Sequence, residues 1–496
     1  MEERFFYFVG IVYFIFSLLA LETAGKFSTA LGLILVVLLP IVTTLIPKNY
    51  KRLCKITLTT AAIAVNAFNA GYFLDFLPTR ALANKTAELV GTVQEFNSSS
   101  NSICLLNATL KIEGMQPKHA KVLCYKRSDE KFEVGDKIEG QVQLFLPQSK
   151  HGIDFETINT AKGIFLCAKP VKGHKFKLQH SKNSFVKQIK LARDKIKNNI
   201  TSMFFDNQKA VLNGILFGDK TCFTNELKII FKRAGIYHTV VVSGLHMSII
   251  SQVIFFACLK LKLNKKVSAI AAILGCLCFA FMVGFTPSVI RSAIMMFIYF
   301  MSKILDKESD SLNSLGFSLL ALLVINPYYV WDLGLQLSFL STWGIIMFAP
   351  RLSELLKVSN KLLNSLKDAF CVSLSATLVT FPLIAAKFSE VSVIAPIANT
   401  FITPLIPIVF VLALMCGVLK PLLLGTFIYK LLVAFTGIIV TVLISVASVF
   451  SNFAPLKITN FSYAYLEILI FVVFIPIALI TLLPTKTKTQ TQNYSN

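Results

Sequence analysis

Residues 229–250 read IIFKRAGIYHTVVVSGLHMSII, and within them the chain turns from a surface helix into a membrane span. Lys232, Arg233 and Gly235 close an amphipathic helix. Ser243-Gly244-Leu245-His246 then lies about one turn inside an apolar run that continues to Leu259. Lipid offers an ionisable ring no hydrogen-bond partner, so a histidine at that depth faces a bundle interior or a wet cavity. Equally, Gly244 suits a close helix crossing while Ser243 and His246 merely satisfy one another's neighbours.

The composition settles the class around this stretch. Of 496 residues, 55% are hydrophobic, which makes a polytopic membrane protein and excludes folding in water. Against 26 Asp and Glu stand 49 Lys and Arg, a formal charge of +23. The excess concentrates in loops and between about 80 and 235. The positive-inside rule accounts only for short loops, so the rest calls for an anionic partner, lipid or nucleic acid. Glu2, Glu3 and Arg4 make a poor signal-peptide start, and the first span reads as an uncleaved helix.

Apolar runs near 5–21, 29–46 and 55–76 precede the polar interval, and nine more follow between 238 and 483, about twelve in all. Pro396, Pro404, Pro407 and Pro421 interrupt the later ones, as expected where broken helices line a cavity. The Lys- and Arg-rich segments 48–52, 260–266, 303–307 and 351–367 fall on one side, which assigns them, both termini and the tail 485–496 to the cytoplasm. The pattern thereby describes a multi-pass chain whose Lys- and Arg-rich loops face the cytoplasm. Residues 1–79 form N-terminal spans, 80–180 an extracytoplasmic domain, 181–236 amphipathic interfacial helices, and 237–484 the main transmembrane module.

Within 80–180, alternation in Leu89-Val90-Gly91-Thr92-Val93 and Ile138-Glu139-Gly140-Gln141-Val142 predicts half-buried strands. Five strands, near 86–96, 101–112, 119–126, 137–145 and 161–168, suggest a small OB-like barrel. Phe96, Phe132 and Phe145 suit either its core or base stacking. Outside the cytoplasm, two of Cys104, Cys124 and Cys167 can join, and adjacent-strand placement favours Cys104 with Cys124. From Phe185 to Met203, apolar residues at helical spacing backed by Lys187, Lys190, Arg193, Lys195 and Lys197 predict a helix lying on the membrane interface.

Buried polar groups mark the candidate path. Arg291 lies a turn beyond Pro287 in an apolar helix and wants a carboxylate, carbonyls or an anionic ligand, or else snorkels to the interface. Asp332 and Gln336 sit one turn apart on one helical face, able to pair with Arg291, although Asp332 also suits a helix cap. Ser243, His246, Arg291, Asp332 and Gln336 are therefore expected to converge on one polar path. The six histidines are dispersed, Cys276 and Cys278 alone make no metal site, and no phosphate-binding loop or other cofactor motif occurs.

A resemblance runs through these residues. Gly218-Asp219, Phe231, Ala234-Gly235, His238 and Ser243-Gly244-Leu245-His246, then Pro287-Ser288 and Arg291, then Asn326-Pro327, Asp332, Gly334 and Gln336-Leu337-Ser338-Phe339, resemble in order the channel module of the ComEC family of competence proteins. The resemblance implies a channel for single-stranded DNA in natural transformation and an OB-like outer domain. It further implies an outer-face DNA receptor, a cytoplasmic motor and recombination proteins as partners, alongside membrane lipid and self-association. Many relatives add a metallo-β-lactamase-like domain with an H-x-H-x-D-H signature. This sequence shows none, so a non-enzymatic channel is expected, with nuclease work done elsewhere.

Two rival readings remain. An intramembrane serine hydrolase built on Ser243 with His246 or His238 needs an oxyanion site and lacks a G-x-S-G element. A carrier for a small anion or lipid would use Arg291 and broken helices equally well.

Overall fold

The computed structural model describes residues 4–22, 48–97, 103–125, 135–148, 155–171, 176–179, 185–356, 358, 360–388 and 390–457. The expected spans at 29–46 and 462–483, the tail and Phe132 lie outside the described residues.

Among the described residues the apolar helix α1 (Phe5–Glu22) and the helix α2 (Lys48–Gly71) come first, and α2 runs through a π turn (Tyr72–Phe76) into Leu77–Arg80. The barrel follows, made of β1 (Thr86–Asn97), β2 (Ile103–Lys111), β3 (Lys118–Tyr125), β4 (Lys137–Phe145), the short helix α3 (Phe155–Ala161), β5 (Ile164–Pro170) and β6 (Lys177–Gln179). Its strands run in the order 1-2-3-5-4 and close through pairing of β4 with β1; β3 and β5 are parallel, and β6 extends the β4 edge beyond β5. Leu89, Val93, Ile138 and Val142 point inward and are buried, as the alternation requires. The strand register sets Cys104 opposite Cys124.

Beyond the barrel come α4 (Phe185–Thr201), α5 (Asp206–Phe217), α6 (Asn225–Arg233) and a 3-10 turn (Tyr237–Val240). The helices α7 (Gly244–Lys260), α8 (Lys265–Val283), α9 (Pro287–Ile304) and α10 (Ser311–Ile325) follow, then a second 3-10 turn (Pro327–Trp331). The rest is α11 (Leu333–Leu355), α12 (Lys361–Phe388), α13 (Ala395–Ile402), α14 (Leu405–Leu423) and α15 (Phe427–Ser451), with β7 (Glu390–Val391) paired to β8 (Leu456–Lys457). Among the described residues six helices are long and apolar enough to cross a membrane: α8, α9, α11, Leu363–Phe388 of α12, α14 and α15. Apolar stretches of α1, α7 and α10 are shorter. One of the later apolar runs, 391–419, is broken between α13 and α14 at Thr403-Pro404, where proline removes a backbone donor.

Among the described residues the helices build two large cores, beside a smaller cluster of Phe255, Ala269, Ala272 and Phe300 where α7, α8 and α9 meet. One gathers α1, α2, α10 and α11 around Phe68, Leu319, Phe339 and Trp343; there Gly10 and Gly316 face each other so closely that a Cβ on Gly10 would stand 2.3 Å from the Gly316 carbonyl oxygen. The other gathers α5–α8 with α13–α15 around Phe231, Met247, Phe279 and Phe410. Between them lies α9, with Val289 in the second core and Ile290 and Met295 packed on the first. The apolar edge of α4, expected to rest on lipid, packs instead on α14: Gly417 meets Ile196 and Ile200, and Asn199 donates to the Gly417 carbonyl at 2.8 Å. An amphipathic pattern fits either neighbour, and here a spanning helix supplies it.

Candidate functional site

The Ser243-Gly244-Leu245-His246 motif opens α7 and does not lie a turn inside it. Val241 and Val242 ahead of it are extended or turn residues, so the apolar run continues upstream of the helix without being helical. Ser243 is the N-cap, and its backbone N–H donates to His246 Nδ1 at 3.1 Å, with the Ser243 hydroxyl 3.2 Å from the same nitrogen. That contact is local capping geometry across three residues. The His246 ring is fully buried against Phe410, and among the described residues its Nε2 has no hydrogen-bond partner.

One helix away, Arg291 is 4% exposed, which removes the snorkelling alternative. Its Nε and Nη2 both donate to the Ser338 hydroxyl of α11, at 3.1 and 2.9 Å. Nη2 also reaches Ser292 Oγ at 3.3 Å, and Nη1 the Met295 sulfur at 3.1 Å. No carboxylate pairs with it among the described residues. Gly244 makes this packing feasible, since a Cβ there would lie 2.7 Å from Ser292 Oγ and 3.3 Å from Arg291 Nη2. The N-terminal turns of α7 and α9 and the first turns of α11 thus adjoin around the guanidinium.

Asp332 does not pair with Arg291. It caps α11, its Oδ1 accepting the Leu335 N–H at 2.7 Å, and it reaches the α9 seam through Gly334, whose side borders Asp332 Oδ1 and Ser288 Oγ. Gln336 turns back to donate to the Val330 carbonyl at 2.6 Å. The structure therefore packs Gly244 on Arg291 and Ser292 and adds Ser338, while Ser243 stands next to Gly244 at the head of α7 and Asp332 and Ser288 both border Gly334. It gives neither His246 nor Gln336 a hydrogen bond to Arg291. Ser338 stands inside the Gln336-Leu337-Ser338-Phe339 motif, so the signal was present. A buried guanidinium needs acceptors, and this is the hydroxyl that answers it.

The remaining motif residues hold the frame. Gly218 ends α5 in a left-handed conformation (φ +67). Asp219 accepts the Thr221 N–H at 2.9 Å and pairs with Lys197 of α4. His238 is exposed in the first 3-10 turn, and Pro287 is the first residue of α9, buried. Asn326 caps the second 3-10 turn, accepting the Tyr328 N–H at 3.0 Å, and donates to the Ala161 carbonyl of α3 at 3.2 Å. That bond joins the barrel to the helices. It sets the barrel at the end where α7, α9 and α11 begin.

A relative from Bacillus subtilis (strain 168), ComE operon protein 3, is 24% identical over 203 residues, 41% of this chain and 25% of the relative. An uncharacterized protein of Aquifex aeolicus (strain VF5) is 28% identical over 258 residues, 51% of this chain and 57% of that protein. The chain thus aligns with less than two thirds of either relative's length. No solved structure matches it. The model of the Competence protein family matches residues 215–485, which contain the whole Arg291 seam. As that match covers more than half of the 496 residues, the chain belongs to the Competence protein family.

Proposed function

We propose that this chain is a channel of the bacterial cytoplasmic membrane that passes one DNA strand inward during natural transformation. Arg291 carries the reading: a guanidinium embedded among helices and held by hydroxyls and a thioether is an uncompensated charge, and a passing phosphodiester would compensate it. The positive ends of α7, α9 and α11 add potential of the same sign. Ser243, His246, Asp332 and Gln336 are assigned to the same path. The shorter apolar helices and the runs beyond the described residues make up the expected total of about twelve spans.

The strand order of the barrel supports an OB-type domain, and on it Tyr125 and Phe145 stack at 5.7 Å between ring centroids, with the Lys169 ammonium 5.8 Å from the Phe145 ring centre. A stacked pair beside a cation suits single-stranded nucleic acid. Cys104 and Cys124 form a cross-strand disulfide on this reading, testable by thiol titration of the denatured chain before and after reduction. The outer receptor, the motor, the recombination proteins and the nuclease are separate partners.

The deciding experiment measures entry of labelled DNA into cells lacking this gene. Loss of uptake, restored by the wild-type chain, supports the channel. Unimpaired uptake would turn the reading to a carrier for a small anion or lipid, which the break at Pro404 also favours.

A further inference from the structure

At the barrel end of the helices, α6 places Lys228 and Lys232 four residues apart on one helical face, and the left-handed turn at Gly218 brings Lys220 back toward them. Lys220 Nζ lies 4.5 Å from the centre of the Tyr237 ring and Lys232 Nζ 5.8 Å from the same centre. Burial, and then the charges of Lys232 and Lys228, push the Lys220 ammonium toward deprotonation, so the three lysines sense one another. Among the described residues none of the three forms an ion pair, and the neighbouring Asp219 carboxylate is committed to Lys197 and Thr221. One aromatic face offsets only part of the repulsion among such cations. Three cations grouped in this way suit an anionic ligand.

The position of the cluster matters as much as its charge. Tyr237 opens the 3-10 turn that leads through Val242, which Gly218 touches, to Ser243 and to Gly244 against Arg291. We propose that Lys220, Lys228 and Lys232 form a phosphodiester-binding station at the barrel-side mouth, which receives an incoming single strand and hands it to Arg291. This rests on the channel reading above. Successive phosphates of a strand suit three separated ammonium groups leading to a fourth cation, whereas a lipid headgroup offers the same phosphodiester only once per molecule.

The test uses the full chain in nanodiscs of zwitterionic lipid, with a short fluorescent oligothymidylate and anisotropy measured across a salt series. Each phosphate contact on a single strand contributes about 0.7 to the slope of log affinity against log salt, so Lys220→Gln with Lys228→Gln and Lys232→Gln should flatten it by about 2. The equivalent change of the exposed Lys260, Lys262 and Lys266, at the opposite end of α7 and α8, should leave the slope as in wild type. No flattening by the first triple, or equal flattening by both, in variants that melt like wild type, overturns the station. So does a loss of phosphatidylglycerol retained from mixed nanodiscs while the oligonucleotide slope stays unchanged, which would assign the lysines to headgroups. The gene-deletion uptake assay separates the two claims: normal uptake removes the channel, while an unaltered slope with uptake still dependent on the chain removes only the station.

Discussion

The side-chain amide of Asn326 donates to the main-chain carbonyl of Ala161 over 3.2 Å, and this bond joins the turn between α10 and α11 to the barrel. The same side chain caps the 3-10 turn through Tyr328, so Asn326→Ala removes two interactions at once. A lost cap costs about 1–2 kcal/mol, a roughly 5- to 30-fold rise in local opening. Hydrogen exchange across residues 155–163 should quicken by that factor while the barrel strands keep wild-type protection. Uniform acceleration over the barrel would show instead that Asn326 supports the domain's own fold.

Arg291→Leu should fold as well as wild type, because replacing an uncompensated buried charge by an apolar residue is often neutral or stabilising. Uptake of labelled DNA should fall at least tenfold. Arg291→Lys should give an intermediate value, as an ammonium cannot present the Nε and Nη2 fork that Ser338 receives. Retained uptake with Leu at this position would remove Arg291 from the transport path.

For Gly244→Ala the new methyl would press on Ser292 Oγ, and overpacking of this kind costs about 1–3 kcal/mol. Combining it with Ser292→Ala frees that space, so the double variant should melt closer to wild type than Gly244→Ala does. A double-mutant cycle in detergent reads the coupling directly. Strict additivity would mean that the close approach of α7 and α9 is not what Gly244 provides.

Burial alone would raise the Asp219 carboxyl, but hydrogen bonds from Lys197 and Thr221 outweigh it and hold it below the usual carboxylate range. A carboxyl depressed on folding contributes stability that is fully present above its unfolded pKa and is lost as pH falls through the folded one. The difference in melting temperature between wild type and Asp219→Asn should therefore be steady at neutral pH and close as pH drops below about 4. A gap independent of pH would place the effect of the substitution in packing.

The barrel was legible because alternation at Leu89–Val93 and Ile138–Val142 follows directly from which side chains face inward, and its strands begin and end within a few residues of the expected positions. The start of α7 was not, because Val240, Val241 and Val242 are as apolar as the helix that follows. Hydropathy does not distinguish a 3-10 turn and the short extended link after it from the helix that follows. The partner of Arg291 escaped for another reason. Asp332 has the right charge, yet the Leu335 N–H three residues away claims its carboxylate, and local capping outcompetes a distant guanidinium. Ser338 becomes visible only once α9 and α11 are side by side.

The described tethers between barrel and helices share one destination. Arg80 pairs with Glu156, Lys118 donates to the Leu74 carbonyl, Phe165 packs with Phe76 and Tyr328, and Asn326 holds Ala161. All of these helix-side residues belong to α2, its extension or the turn after α10, none to the core around Phe410. Mechanically the barrel is a handle fixed to one of two packed bodies. A load applied to it is transmitted to α2 and the head of α11, and from there it has two routes to the other body: α9, which Arg291 stitches to Ser338, and α12, which packs on both α11 and α13.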